Sequence, residues 1–158
     1  MARRPPRLPP LLAEFDDEER EAVLAANRAF YRAFNDRDYE AMDLLWAPSG
    51  SVICLHPGQG PLVDRAEIMA SWRAILRHPE SPRVRCTDEW VVGRSGFAMV
   101  VCREILANGQ LMATNSFVRL GDGWHIMGHH SGPVPSVERQ PVTQATAPTM
   151  TRDRRKLH

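Results

Sequence analysis

A chain of 158 residues, 43% hydrophobic and 25% charged, has the size and balance of one globular domain. A formal net charge of +1 excludes a phosphate-binding basic face as the main working surface, so no nucleic-acid partner is expected. No stretch approaches the roughly 20 apolar residues of a membrane helix, and Met1–Leu12 has only scattered leucines between prolines, short of the roughly 7–15 apolar residues of a secretory signal.

Both ends differ from the middle. Residues 1–10 hold four Pro and three Arg, and the chain from Pro133 on is rich in Pro, Thr and Gln before the basic run Arg152, Arg154, Arg155 and Lys156. Neither end has an apolar period, so residues 1–15 and 133–158 are expected to be disordered tails around a folded domain over 16–132. The basic tip reads as a solvated tail or as a contact for an anionic surface. Cys54, Cys86 and Cys102 are odd in number and lack a C-x-x-C spacing. That argues against a disulfide framework and a structural zinc site, and for a reducing, cytoplasmic home.

In chain order, Asp16 with Glu19 makes a capping-box start, followed by Val23, Ala26, Phe30, Ala33 and Phe34 at helical spacing. The helix is predicted to end near Asn35, in the turn Asn35-Asp36-Arg37-Asp38. Asp38 then caps a short helix with an apolar face of Met42, Leu45 and Trp46, stopped by Pro48. Residues 51–56 read as a strand with Val52, Cys54 and His56 on one face and Ile53 and Leu55 on the other. Asp64 with Glu67 opens a third helix with the stripe Ile68, Trp72, Ile75 and Leu76.

The period then switches to two. Strands are predicted over 84–92, 97–107, 110–120 and 124–131, joined by Gly93–Gly96, Asn108-Gly109 and Gly121-Asp122-Gly123. Asn108-Gly109 is the strongest of these hairpin signals, since both residues tolerate positive φ. Segregated helices and strands predict an α+β domain in which a curved antiparallel sheet wraps three N-terminal helices around a cone-shaped pocket.

This order resembles the NTF2-like superfamily in its SnoaL-like branch, a cystatin-like α+β barrel. The stretches that carry the resemblance are Phe30 to Asp38 with its N-x-x-D exit, Trp46 to Val52 at the entry to the first strand, and Gly123-Trp124-His125-Ile126 with His130-Ser131 in the last strand. It implies a small-molecule pocket and either a cofactor-independent isomerase, dehydratase or cyclase, or a non-catalytic binding or assembly module of the same fold. The substrate class implied is a small, mostly apolar, oxygenated ring compound.

His56 stands directly before Pro57. There the isomerase-like members place a carboxylate base, and a neutral imidazole can take a proton near pH 7. The alternative is a strand-end histidine bonded to the loop. Asn115 lies mid-strand between Ala113 and Phe117 on one face, where Asn is disfavoured unless its amide is used. Alignment with the isomerases places it where an Asp donates to the developing oxyanion; the alternative is an amide tying two strands together. Asp88 shares an alternating face with Cys86, Trp90 and Val92. If that face lines the pocket, Asp88 orients His56; if not, it is solvated.

Tyr31 stands one residue past the aligned oxyanion-hole tyrosine, a place held here by Phe30, and reads as pocket wall or packing. Trp46, Trp72, Trp90 and Phe117 are expected to line the pocket or fill the core, with Trp72 the best core residue. Cys54 sits two residues from His56 on the same face, which permits an activated thiol, but packing is the ordinary use of a buried cysteine. His125, His129 and His130 suggest a metal, yet neighbouring strand residues face opposite ways and no carboxylates accompany them, so no metal is expected. The resemblance places His130 in the pocket. The second sheet face, with Met112, Thr114, Ser116 and Val118, is expected to pair two subunits into a homodimer.

Overall fold

The computed structural model describes residues 15–121 and 123–134. The expectations for the two tails therefore fall outside the described residues, apart from residue 15 and residues 133–134. The elements are α1 (Asp17–Asp36), α2 (Tyr39–Leu45), β1 (Ile53–Leu55), α3 (Arg65–Arg77), β2 (Arg85–Arg94), β3 (Phe97–Leu106), β4 (Gly109–Leu120) and β5 (Gly123–Pro133). The last strand thus extends into the segment read as a tail.

The predicted caps form. Asp16 accepts from the Glu19 N–H at 2.8 Å while Glu19 accepts from the Asp16 N–H at 3.3 Å. Asp38 and Asp64 cap α2 and α3 through the Ala41 and Glu67 N–H groups. Each satisfies a backbone donor that would otherwise lack a partner at a helix start. Arg37 closes α1 in a left-handed conformation (φ 57°), and its guanidinium donates to the carbonyls of Leu76, His78, Pro79 and Ser81. One side chain thereby ties the end of α1 to the end of α3.

The sheet order is β1-β5-β4-β3-β2, an open curved sheet with the helices on its concave side. The four long strands form the expected antiparallel meander, and β1 joins the edge of β5 in parallel. The β3–β4 hairpin closes over Ala107 and Asn108, because Leu106 pairs with Gly109. Neither Asn108 nor Gly109 has a positive φ, so the turn forms without the conformation for which that dipeptide is favoured. Gly93 is needed for a different reason: a Cβ there would lie 2.7 Å from the Phe15 ring. Phe15 covers that end of the sheet and meets Trp124 edge to face at 6.2 Å.

Two bulges decide which side chains reach the interior. In β2 the register shifts between Thr87 and Trp90, with Asp88 at φ 52°. The extra residue reverses the alternation, so Glu89 turns inward while Asp88 and Trp90 turn out. In β5 the register shifts where Ser116 pairs with Gly128 and Phe117 with Ile126, leaving Met127 as the extra residue. Beyond it His129 and Ser131 are buried and His130 is exposed. The core beneath holds Val23, Phe30, Met42, Trp46, Ile68 and Phe117, all essentially without exposure.

Candidate active site

Between the sheet and the helices lies a cavity of about 340 Å³. Its apolar wall is Phe30, Phe34, Trp72, Ile75, Leu106 and Leu111; its polar groups are Tyr31, His56, Gln59, Glu104, His129 and Ser131. A mostly apolar chamber with a few convergent polar groups is the ordinary form of a small-molecule site.

His56 sits at the end of β1 with its ring edge-on to Trp72 at 4.7 Å. Its Nε2 lies 2.8 Å from Ser71 Oγ, and the Ser71 hydroxyl itself donates to the Ile68 carbonyl at 2.6 Å. The serine thus offers a lone pair, Nε2 carries the imidazole proton, and the ring's basic lone pair is on Nδ1. Burial lowers the His56 pKa below its usual value, so the ring is neutral at pH 7.

His129 is a second neutral imidazole 6.4 Å from His56, centroid to centroid. Burial, then the charges of His56 and His130, pull its pKa down to about 3. Its Nδ1 meets Asn115 Oδ1 at 2.6 Å. Asn115 in turn donates to Asn27 Oδ1 at 2.7 Å and to the Tyr31 hydroxyl at 3.2 Å.

Tyr31 donates to Glu104 Oε1 at 2.9 Å, and the Ser131 hydroxyl donates to Glu104 Oε2. Burial raises the Glu104 pKa despite these two hydrogen bonds, and it holds the Tyr31 phenol protonated, raising its pKa with help from the neighbouring Glu104 and Cys102. When Glu104 takes up a proton, the trio has three hydrogens for two mutual contacts. The third is available to an oxygen atom in the cavity.

The structure brings Tyr31, His56 and Trp72 to the cavity wall, and it separates the other residues singled out in the sequence. Asn115 is fully buried behind the wall, and both its N–H bonds are directed to protein acceptors, so it has none left for an oxyanion. Asp88 does not meet His56; it pairs with Arg103 at 3.0 Å on the outer side, because the β2 bulge reverses its face. Trp90 is turned out by the same bulge and is 50% exposed. Trp46 and Phe117 are core residues off the cavity. Cys54 is buried with its sulfur 3.6 Å from His56 Nε2, but burial pushes its thiol up to about 12, which removes the thiolate a nucleophile needs. His130 faces out, and the pocket histidine of β5 is His129.

Glu104 went unnoticed in the sequence, and neither Ser131 nor Asn27 was given a site role there. The signal for Glu104 was a lone carboxyl at the inward phase of β3, after Ala98, Val100 and Cys102. Among the described residues no three His, Cys, Asp or Glu side chains are grouped to hold a metal ion, and no helix is long and apolar enough to cross a membrane.

Asn115→Leu is expected to destabilise the fold by about 2–4 kcal/mol, because it strands the His129 Nδ1–H and Asn27 Oδ1 in the interior. A urea midpoint unchanged from the parent would contradict this account of the network.

An open sheet curled over three helices, with an apolar cavity between them, defines a cystatin-like α+β domain of the NTF2-like type. The chain belongs to the SnoaL-like domain family, whose profile matches residues 23–135. It is similar to a candidate dehydratase of the NTF2-like family from Streptomyces avermitilis, at 31% identity and a TM-score of 0.71 over 77% of this chain and 100% of that one. It is also similar to a candidate calcium/calmodulin-dependent protein kinase type II association domain from Thiobacillus denitrificans, at 29% identity and a TM-score of 0.64 over 70% and 94% of the two chains. Among curated proteins it resembles the F-box protein SKIP8 of Arabidopsis thaliana, at 24% identity over 119 residues, 70% of this chain and 48% of that protein. The chain thus spans about half the length of that relative.

Proposed function

We propose that the protein is a cofactor-independent lyase or isomerase whose best-fitting reaction is dehydration of a small, mostly apolar ring compound carrying a carbonyl and a hydroxyl group. The observation that carries this reading is a neutral imidazole and a buried carboxyl of raised pKa in the wall of one cavity. Burial favours the uncharged form of both groups, which on the histidine is a base and on the glutamate an acid. His56 Nδ1 takes the proton from the carbon next to the carbonyl, and the Tyr31–Glu104 pair delivers a proton to the departing hydroxyl. His129 accepts a hydrogen bond from the substrate on Nε2 and so orients the ring. The similarity to a candidate dehydratase agrees with this reading.

Incubating the protein with a panel of cyclic β-hydroxy ketones tests it, since loss of water creates a conjugated chromophore. Glu104→Gln keeps the hydrogen bonds to Tyr31 and Ser131 within reach but cannot give up a proton. It is expected to slow turnover at least tenfold while raising the melting temperature. An equal rate in Glu104→Gln would remove the acid role.

A non-catalytic module is the second reading, favoured by the similarity to an association domain and by the exposed Trp90 and Val92 on the outer side of the sheet. Under either reading we expect a homodimer through that outer face. A monomer mass at micromolar concentration in sedimentation would overturn it.

A further inference from the structure

Behind the cavity wall a single file of polar groups runs from solvent to His129. Arg28, on the exposed side of α1, pairs with Glu89 Oε1 at 3.0 Å. Glu89 Oε2 lies 2.9 Å from Asn27 Nδ2, Asn27 Oδ1 lies 2.7 Å from Asn115 Nδ2, and Asn115 Oδ1 lies 2.6 Å from His129 Nδ1. Each amide has one donor end and one acceptor end, so the orientation of one dictates the next. A carboxylate paired with a guanidinium can only accept. It therefore holds the Asn27 amide nitrogen toward itself and turns the Asn27 oxygen to Asn115. That oxygen demands the Asn115 nitrogen, and the Asn115 oxygen is left for His129. His129 must then donate from Nδ1 and keep its lone pair on Nε2.

Turning either amide over would set two acceptors against each other in a dry interior. A second, longer contact favours the same orientation of Asn115 without imposing it, since a hydroxyl can donate as well as accept. The Tyr31 hydroxyl, which donates to Glu104, takes the other Asn115 N–H at 3.2 Å.

We infer that Glu89 is a positioning residue that sets the tautomer of His129 through Asn27 and Asn115, and so decides that this histidine presents an acceptor rather than a donor to the ligand. Glu89 reaches the interior only because of the β2 bulge, which gives that bulge a use in the site. The inference rests on the proposed reaction only for its catalytic consequence, since the tautomer is a property of the ligand-free protein.

Long-range proton–nitrogen NMR of histidine-labelled protein reads the tautomer directly, with no substrate. The parent is expected to show Nδ1 protonated and Nε2 bare. Glu89→Gln, which still offers an oxygen to Asn27, should keep that pattern. Glu89→Met removes the anchor and should give nitrogen shifts averaged between the tautomers. The pair exchange Glu89→Lys with Arg28→Glu places a donor next to Asn27 and should reverse both amides, leaving Nε2 protonated. Where a reaction has been assigned, that reversal should reduce kcat/KM about tenfold or more, as the competent tautomer becomes the minor form.

A parent already protonated on Nε2 would overturn the inference. So would a Glu89→Met protein with parental nitrogen shifts, and this variant decides the matter even if the exchanged pair fails to fold. A tautomer that follows Glu89 in a protein with no detectable turnover would leave this inference standing and remove the proposed reaction alone.

Discussion

Replacing His56 with alanine should lower turnover of a dehydratable ring substrate by roughly 100- to 10,000-fold, the usual contribution of a positioned general base. The loss should fall on kcat, because the apolar wall that binds the ring, including Phe30, Phe34 and Trp72, is left in place. Part of any loss could come from a disturbed fold, since His56 packs on Trp72 and bonds Ser71. Added imidazole separates the two causes. A missing base can be replaced by a free one in the space left behind, whereas a disturbed fold cannot.

Asp88→Asn is the matched control. The residue is partnered with Arg103 outside the cavity, and Asn tolerates its left-handed conformation. Its stability should move by no more than about 1 kcal/mol, as for an exposed ion pair, and its kinetics should be those of the parent. If Asp88→Asn lost activity and His56→Ala kept it, the base assignment would be refuted.

The second large effect is on stability against pH. His129 binds its proton at a pKa of about 3 in the folded protein against an ordinary 6.5. Above pH 6.5 neither state holds that proton, and the residue contributes no pH dependence. Below 6.5 the unfolded chain takes up the proton and the native protein does not, so stability falls as pH falls, down to about pH 3. At about 1.4 kcal/mol per pKa unit, this one residue should remove roughly 2–3 kcal/mol between pH 7 and pH 4.5. His56, lowered in the same direction, adds to the loss.

Glu104 works with the opposite sign. Its folded pKa lies above the unfolded value, so its contribution is fully present below the unfolded pKa and is lost as pH rises through the folded one. The parent should therefore show a partly offset slope, and Glu104→Gln should show the full histidine slope in urea titrations at pH 7 and pH 4.5. A flat profile in that variant would mean that His129 is accessible to solvent or charged in the native state.

Much of the scaffold was legible in the sequence because it depends on near neighbours. Asp16, Asp38 and Asp64 cap helices through contacts three residues away, and the turns of the meander are set by short segments. The inward phase of residues 52–56 was also readable, since a strand without a bulge alternates strictly. His56 and Trp72 could be assigned to the interior for the same reason, one from strand phase and the other from helix phase.

The site residues that were misplaced share one cause. Asp88, Trp90 and His130 all lie within or beyond a bulge, and one extra residue in a strand flips every side chain after it. Asn115 was found by its oddity, a polar residue in a buried strand, but its direction depends on Asn27, Tyr31 and His129, which come from α1 and β5. Glu104 drew no notice because a carboxylate on a strand is usually solvated.

The sequence by itself determined the α+β class, the order of its elements and the family to which the chain belongs, because caps, turns and apolar periods act over a few residues. Only the tertiary structure decided which faces of β2 and β5 look into the cavity and which polar groups are partnered. Those outcomes depend on strand register and on hydrogen bonds between residues as far apart in the chain as Asn27 and Asn115. Pairings at that separation form only when the sheet closes over the helices, and no local pattern encodes them.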